Sequence, residues 1–351
     1  MDGFPSGQRE RTVNPLSQTT MVRIHPRPPS KNSLLSTKTR EVFLLYGGNK
    51  YCIIISSNRD FVEAIDMLIE CRKKDFEKYI DFVFELALDL SKSGYPTYRD
   101  GIKTKSMFVE RLLQAYERED EQILLFVLDG KVQGLIHYFW IEDDRYIQTN
   151  AFCINEATEQ ALSEFLSFVG ERFKGYDVFL GFPAENQNAV EYLSGCGFEC
   201  VEDDFNNTAF LNKCNTIPEN SEIIQIDKEN YDCFRMLHNQ VEDDMYWNSD
   251  RIYENLDDWI ILVKIGDGRP QGAVYYTNED DTWYEIFGID IDCGKYDPEL
   301  FKDLLRAAIM NAKHRGGSVM TFFCEKKYEA AALECGFMCV GNYLLYRVHL
   351  D

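Results

Sequence analysis

Apolar positions change their period several times along this chain, and each change marks an element. Leu68–Cys71 is a short apolar run that reads as a strand. Asp75 follows as a helix N-cap, with Phe76, Tyr79, Ile80, Val83, Leu86 and Ala87 on one helical face. A Gly94-Tyr95-Pro96 turn leads to a second helix over Ser106–Arg118. Three strands are predicted next, Ile123–Leu128, Gln133–Trp140 and Tyr146–Ile154. The first two are joined by Asp129-Gly130, a hairpin signal. Asn155 is expected to cap a long helix ending at Phe173, and Val178–Phe182 is a continuously apolar strand. Asn188–Ser194 reads as a short helix, and Glu199–Glu202 with Thr208–Leu211 as a closing hairpin.

The same order then returns. Ile223–Ile226 is a strand, Tyr231–Val241 a helix, and Trp259–Ile265, Gln271–Tyr276 and Trp283–Asp290 are strands. Asp297-Pro298 pairs an N-cap with a proline at the first helical position, opening a helix to Arg315. Ser318–Phe323 is a strand and Tyr328–Glu334 a helix, and Met338–Val340 with Leu344–His349 form a second closing hairpin. The residues repeat as well. Cys-Gly-Phe-x-Cys-Val occurs at Cys196–Val201 and again 139 residues on, at Cys335–Val340. "DGKVQGLIHY" (Asp129–Tyr138) returns as "DGRPQGAVYY" (Asp267–Tyr276), offset by 138. The acidic turn Glu142-Asp143-Asp144 returns as Glu279-Asp280-Asp281, offset by 137. Three matches in one order imply a duplicated domain. The expected domains are 67–214 and 221–351, with the seam at Asn215–Asn220 around Pro218.

Residues 1–40 follow neither period and are rich in Pro, Ser, Thr and Arg, the composition of a disordered tail. Back-translation points elsewhere. Phe4–Gln8, Glu10–Leu16 and Met21–His25 accept codons spelling, in order, the D-arm, tyrosine anticodon arm and T-arm of a tRNA. Val62-Glu63-Ala64 accepts a ribosome-binding sequence. Residues 1–66 are therefore expected to be a spurious extension, with the true start at Met67, although Tyr51–Ile55 has the pattern of an extra strand.

Composition narrows the class. A chain of 351 residues, 45% hydrophobic, suits two packed domains. It has no apolar run long enough for a membrane span. The 11 cysteines are scattered through apolar patterns, which suits buried thiols in a cytoplasmic, bacterial-type protein better than a disulfide framework. Cys196/Cys200 and Cys335/Cys339 have the spacing of a metal half-site, but each pair encloses Gly-Phe and lacks histidine partners, so no metal is expected. A net charge of −22 disfavours nucleic acid and tilts toward cationic small molecules.

The order β-α-α-β-β-β-α-β-α-β-β, read from Met67 to Asp351 as a tandem pair, resembles the GNAT acyl-CoA N-acyltransferase fold, an α/β fold on a mixed sheet. Its most specific support is Asn186, Ala189, Gly197 and Phe198 after the fifth strand, with Gly336-Phe337 kept in the second copy. "MLIECRKKDF" also looks like the family's first strand and helix. The resemblance implies acetyl-CoA, or another acyl-CoA, in a V-shaped gap between strands four and five. Strand-four backbone would hold its pantetheine arm, and amides of a glycine-rich loop at the next helix its pyrophosphate. The positions carried over for the cofactor are Phe152, Ile154 and Asn186 in the first copy, and Ile289, Ile291, Gly294 and Lys295 in the second.

Both phosphate loops depart from the pattern. The first copy has no glycine there and places Glu156 and Glu159 at the helix start; the second surrounds Gly294 and Lys295 with Asp292, Asp297 and Glu299. Carboxylates at a helix N-terminus already satisfy its dipole and repel a pyrophosphate. The resemblance implies Glu285 as general base, where the first copy has Gln148. The family's acid position holds Leu193 and Ala332; Tyr192 stands beside it and is the remaining candidate acid, expected to face elsewhere. Asn186 is replaced by Glu325 in the second copy. Tyr95, Pro96 and Tyr98, and Met245, Tyr246 and Trp247, occupy the family's substrate wall, while His137 and His238 read as structural. The expected function is acetyl transfer to a small amine, with one copy active, as a monomer or homodimer. The alternative is an inactive ligand-binding or scaffolding protein on the same fold.

Overall fold

The computed structural model describes residues 44–46, 51–53, 67–94, 104–214, 222–241, 245, 247–278 and 282–351. The tRNA-like text, the Asn215–Asn220 seam, the Glu279-Asp280-Asp281 turn, and Tyr95, Pro96, Tyr98 and Tyr246 lie outside them. Near the N-terminus, β1 (Leu44–Tyr46) pairs antiparallel with β2 (Tyr51–Ile53).

The first repeat runs β3 (Leu68–Glu70), α1 (Lys73–Phe76), α2 (Ile80–Leu88), α3 (Lys105–Gln114), β4 (Glu121–Leu128), β5 (Lys131–Ile141), β6 (Tyr146–Ile154), α4 (Thr158–Arg172), β7 (Asp177–Pro183), α5 (Gln187–Gly195) and β8 (Glu199–Phe210). The second runs β9 (Ile223–Gln225), α6 (Asp232–His238), α7 (Ser249–Glu254), β10 (Trp259–Gly266), β11 (Arg269–Asn278), β12 (Trp283–Ile291), α8 (Pro298–His314), β13 (Val319–Cys324), α9 (Lys326–Glu334) and β14 (Met338–His349). β3 to β6 form an antiparallel meander and β6 pairs parallel with β7. β9 to β12 repeat this, and β12 pairs parallel with β13.

Each sheet carries apolar side chains on both faces because helices cover both. In the first repeat, Val83, Leu86, Phe108 and Leu112 pack on Ile123, Leu125, Leu135 and Ala151. The opposite face is aromatic: the Tyr138 and Phe152 rings meet Phe165 of α4 at 5.4 and 6.0 Å. In the second repeat, α8 buries Phe301, Leu304, Leu305 and Ala308 on one face, while Phe234, Leu237 and Trp247 cover Trp259, Ile261 and Tyr275 on the other.

The compact units divide differently from the repeats. One contains Lys103–Glu199 and Tyr346–Asp351, the other Cys200–Leu345. β8, from the first repeat, pairs antiparallel with β13, from the second. Conversely, the last residues of the second repeat complete the first unit, where Leu350 exchanges backbone hydrogen bonds with Gly175 (2.7 Å) and Tyr176 (2.9 Å). Each unit is thus completed by the closing strand of the other repeat.

Several local expectations are corrected. The two closing hairpins are single strands of 12 residues, β8 and β14. The polar run Glu202–Asn207 that suggested a turn is strand, with its charged residues on an incompletely covered stretch and Asn206 and Asn207 buried beside β13. Asp75 lies inside α1, held by Arg72 and Lys78 at 3.2 and 2.7 Å, and α2 starts later, after Tyr79. Asn155 does not cap α4; Lys92 donates to its Oδ1 at 2.8 Å, and Ala157 takes the N-cap position. α6 ends at His238, and α7 was not expected.

Candidate functional site

The fourth strand of each repeat carries a bulge. In β6 it is Asn150, lying between the pairs Tyr138↔Thr149 and His137↔Ala151; in β12 it is Phe287, between Tyr276↔Ile286 and Tyr275↔Gly288. A bulge bends its strand and ends regular pairing. Parallel pairing to the fifth strand accordingly stops at Gln148↔Phe179 in the first repeat and at Ile286↔Phe322 in the second. Beyond those points the two strands separate, leaving strand-edge groups for another partner.

In the second repeat the separating stretch of β12 alternates in burial. Glu285, Phe287, Ile289 and Ile291 are half-buried, whereas Ile286, Gly288 and Asp290 are buried. Ile289 and Ile291 join the α8-side core, and Phe287 packs on Trp259 with ring centroids 5.0 Å apart. Glu285 stands in register between Thr277 and Thr321. Gly288 is required by a close approach: a Cβ there would lie 2.1 Å from the Tyr275 hydroxyl oxygen. Tyr275 thus crosses the bulge, a position the sequence reading missed. The signal was present, since the repeats pair His137 with Ala151 and Tyr275 with Gly288, larger rings facing smaller residues.

The loop after β12 is a turn over Asp292–Gly294, with Cys293 and Gly294 at positive φ and Lys295 exposed behind it. The Cys293 amide donates to Gln240 Oε1 at 2.8 Å. At the start of α8, Asp297 Oδ1 accepts from the Glu299 and Leu300 amides at 3.0 and 3.2 Å. Amides of this turn and of the first turn of α8 are therefore engaged by the chain's own groups. Lys302 is bound by Glu299 and Glu334 at 2.7 and 2.8 Å. Those hydrogen bonds push its ammonium pKa up.

The corresponding stretch of β6 is buried throughout. Phe152 and Ile154 are inside, and Ile154 N–H donates to Lys92 O at 2.9 Å. Asn186 is fully buried: its Nδ2 donates to Ser93 O at 3.0 Å and its Oδ1 accepts from Ala189 N at 3.3 Å, capping α5. Gln148 is also buried and accepts from the Tyr146 hydroxyl. Tyr192 faces α4 beside Ser163, away from Leu193, and burial raises its phenol pKa. Glu285 thus stands half-buried on β12 with Gly294 and Lys295 exposed in the turn that follows, while Tyr192 lies on the helix-packing side of the first repeat.

Two buried polar clusters flank these strands. Glu121 accepts from His137 (2.7 Å), Arg111 (3.1 Å) and Arg118 (2.9 Å). Burial opposes the Glu121 charge, but His137 and Arg111 outweigh it and hold the carboxyl at about 2. Burial drives the His137 pKa down to about 4. Near it, buried Asn150 makes no side-chain hydrogen bond among the described residues, a setting suited to ordered water. In the second repeat His238 lies between Asp290 Oδ2 and Trp247 O, each at 2.8 Å. Trp247, expected in a substrate wall, is buried and meets Trp259 at 5.3 Å.

The cysteines are free thiols among the described residues, and burial raises Cys324 to about 12 and Cys335 to about 11. No group of metal-ligating side chains occurs among the described residues, and no described helix is long and apolar enough to cross a membrane.

No protein-family model matches the chain, and no curated protein matches it in sequence. Its fold has solved counterparts. The chain is similar to a GCN5-related N-acetyltransferase from Sphaerobacter thermophilus, at 12% identity and TM-score 0.57, over 82% of this chain and 97% of that one. It is also similar to the GCN5-related glucosamine N-acetyltransferase region of a fungal multi-domain GH3 beta-N-acetylglucosaminidase. That match has 12% identity and TM-score 0.53, over 82% of this chain and 39% of the other. The fold is that of the GNAT N-acetyltransferases, on a mixed α/β sheet.

Proposed function

We propose that this chain is an acyl-CoA-dependent N-acyltransferase that acetylates a small, cationic amine from its second repeat. The observation that carries the reading is the difference between the two fourth strands. β12 keeps Glu285, Phe287, Ile289 and Ile291 half-exposed beside its separation from β13, whereas β6 is buried along its length. Ile289 and Ile291 supply an apolar strand edge for a pantetheine arm, and Gly294 and Lys295 a turn and a cation for its phosphates. A bound acyl thioester supplies the electrophilic carbonyl. Glu285 takes the proton released as the amine nitrogen bonds to that carbonyl, directly or through a water; the C–S bond then breaks, and CoA leaves as a thiolate that is protonated from solvent. The net acidic chain favours a cationic acceptor.

A second reading is favoured by one specific observation. Asp297 already caps two amides of α8, where a pyrophosphate would need free donors. On that reading the chain keeps the fold as a ligand-binding or scaffolding protein without acyl-CoA. Thermal unfolding of the full chain with acetyl-CoA, and separately with CoA, separates the two. A midpoint that rises with cofactor concentration supports the transferase. An unchanged midpoint at millimolar cofactor favours the scaffold.

A further inference from the structure

We infer that the first repeat's cleft is closed by the chain itself: Lys92–Gly94 occupies the gap between β6 and β7, leaving one acyl-CoA site per chain. The stoichiometry rests on the transferase reading above; the closure does not.

The closure follows from strand geometry. Pairing of β6 with β7 ends at Gln148↔Phe179, so later edge groups need other partners. Ile154 N–H finds one in Lys92 O at 2.9 Å. Gly94 touches both strand edges at once. A Cβ on it would stand 2.8 Å from Phe152 Cβ on β6 and 3.3 Å from Gly181 O on β7. Only glycine brings backbone that close without displacing its neighbours. Ser93, buried between them, gives its carbonyl to Asn186 Nδ2 at 3.0 Å. Lys92 Nζ donates to Asn155 Oδ1 at 2.8 Å, and Asn155 Nδ2 to Gln133 Oε1 at 3.3 Å.

The segment therefore uses the strand-four amide, the bulge-side gap and the buried asparagine that a pantetheine arm would otherwise engage. Its backbone carbonyls act as an intramolecular ligand. Among the described residues the second repeat has no counterpart. Its chain turns after α6 so that Gln240 reaches Cys293 N instead. A peptide held by its own helix has no association entropy to lose, so a diffusing cofactor competes poorly with it.

The test is site-resolved amide hydrogen exchange on the full chain. Without ligand, Ile154 N–H is expected to exchange about 100-fold or more slowly than an unstructured amide. Saturating acetyl-CoA is expected to leave that rate unchanged and to bind at one equivalent per chain. Gly94→Leu is expected to speed exchange at Ile154 about tenfold while leaving Leu304 in α8 unchanged. Free exchange at Ile154 in the unliganded chain, faster exchange there on adding acetyl-CoA, or two bound equivalents would each overturn the inference. A protected Ile154 with no acetyl-CoA binding at all sinks the transferase reading and upholds the closure. Should Gly94→Leu fail to fold, the unsubstituted chain still decides.

Discussion

His238 Nδ1 lies 2.8 Å from Asp290 Oδ2 inside the second repeat, and both side chains are buried. The other ring nitrogen faces Trp247 O at 2.8 Å. Each ring nitrogen thus meets an oxygen, one from a carboxylate and one from the backbone. Asp290 stands between Ile289 and Ile291, and Trp247 packs on Trp259. The pair therefore ties the candidate cofactor strand to the loop before α7.

His238→Leu is expected to destabilise the chain by about 3 kcal/mol, because it leaves a buried carboxylate without its partner, and Asp290→Leu takes the carboxylate from His238 Nδ1 in turn. His238→Leu combined with Asp290→Leu should recover more than half of that loss, since no uncompensated charge remains. Urea unfolding of the two single variants and the double variant measures the coupling. Additive losses would show that the pair does not act as a unit.

The Glu121–His137 cluster fixes the sign of an acid response in the first repeat. Burial depresses the His137 pKa to about 4 from the ordinary 6.5, so the unfolded chain binds a proton there that the folded chain refuses. Stability should therefore fall as pH drops from 6.5 to 4. Glu121 is depressed to about 2 from 4.5, and its contribution should be lost as pH drops from 4.5 toward 2. Each shift corresponds to roughly 3 kcal/mol at full development. His137→Gln should flatten the upper stretch of the profile and shrink the lower one, since Glu121 then keeps Arg111 but loses the His137 bond, as read by denaturant midpoints at successive pH values.

Strand exchange makes the C-terminus a structural part of the first unit. Tyr346, Val348 and Leu350 are buried, Tyr346 lies 3.0 Å from Ser194 Oγ, and Arg347 pairs with Glu199 at 2.6 Å. Deleting Tyr346–Asp351 exposes the apolar surface these residues cover, at about 2 kcal/mol for each buried side chain. Calorimetry should show the first unit's transition lowered by about 10 °C or more, with the second unit's retained. Equal loss from both units would contradict the division of the chain described above. For the same reason, residues 67–214 expressed alone should associate or aggregate, lacking the strand that closes their unit.

Much of this was legible locally. The bounds of β6 match the expected Tyr146–Ile154, because an apolar run follows an acidic turn. The start of α8 was readable from Asp297-Pro298, whose carboxylate does cap the helix. What was not legible depends on distant partners. The alternation in Glu199–Phe210 is the same whether the strand returns to its own repeat or crosses to β13. Asn155 has the chemistry of a cap, but Lys92 and Gln133 claim its side chain. The closure by Lys92–Gly94 has no motif of its own, since any residue offers a carbonyl and only the geometry at Gly94 restricts the sequence. In the candidate site, residue types at Glu285 and Gln148 were readable, but their different exposure was not.

That difference supports a last prediction. Glu285 is half-buried beside the β12 bulge, whereas its counterpart Gln148 is wholly buried and bonded to Tyr146. If Glu285 is the base, Glu285→Gln keeps the shape and polarity of the site but removes its proton acceptor. Amine acetylation at neutral pH should then fall about 100-fold in kcat, the usual cost of losing a positioned base. Affinity for acetyl-CoA should stay within a factor of about two, because the proposed pantetheine edge at Ile289 and Ile291 is untouched. Raising the pH should partly rescue the variant, since a growing fraction of amine arrives already deprotonated. An unchanged kcat would remove Glu285 from the mechanism. A loss of acetyl-CoA binding instead of rate would make it a structural residue of the cleft.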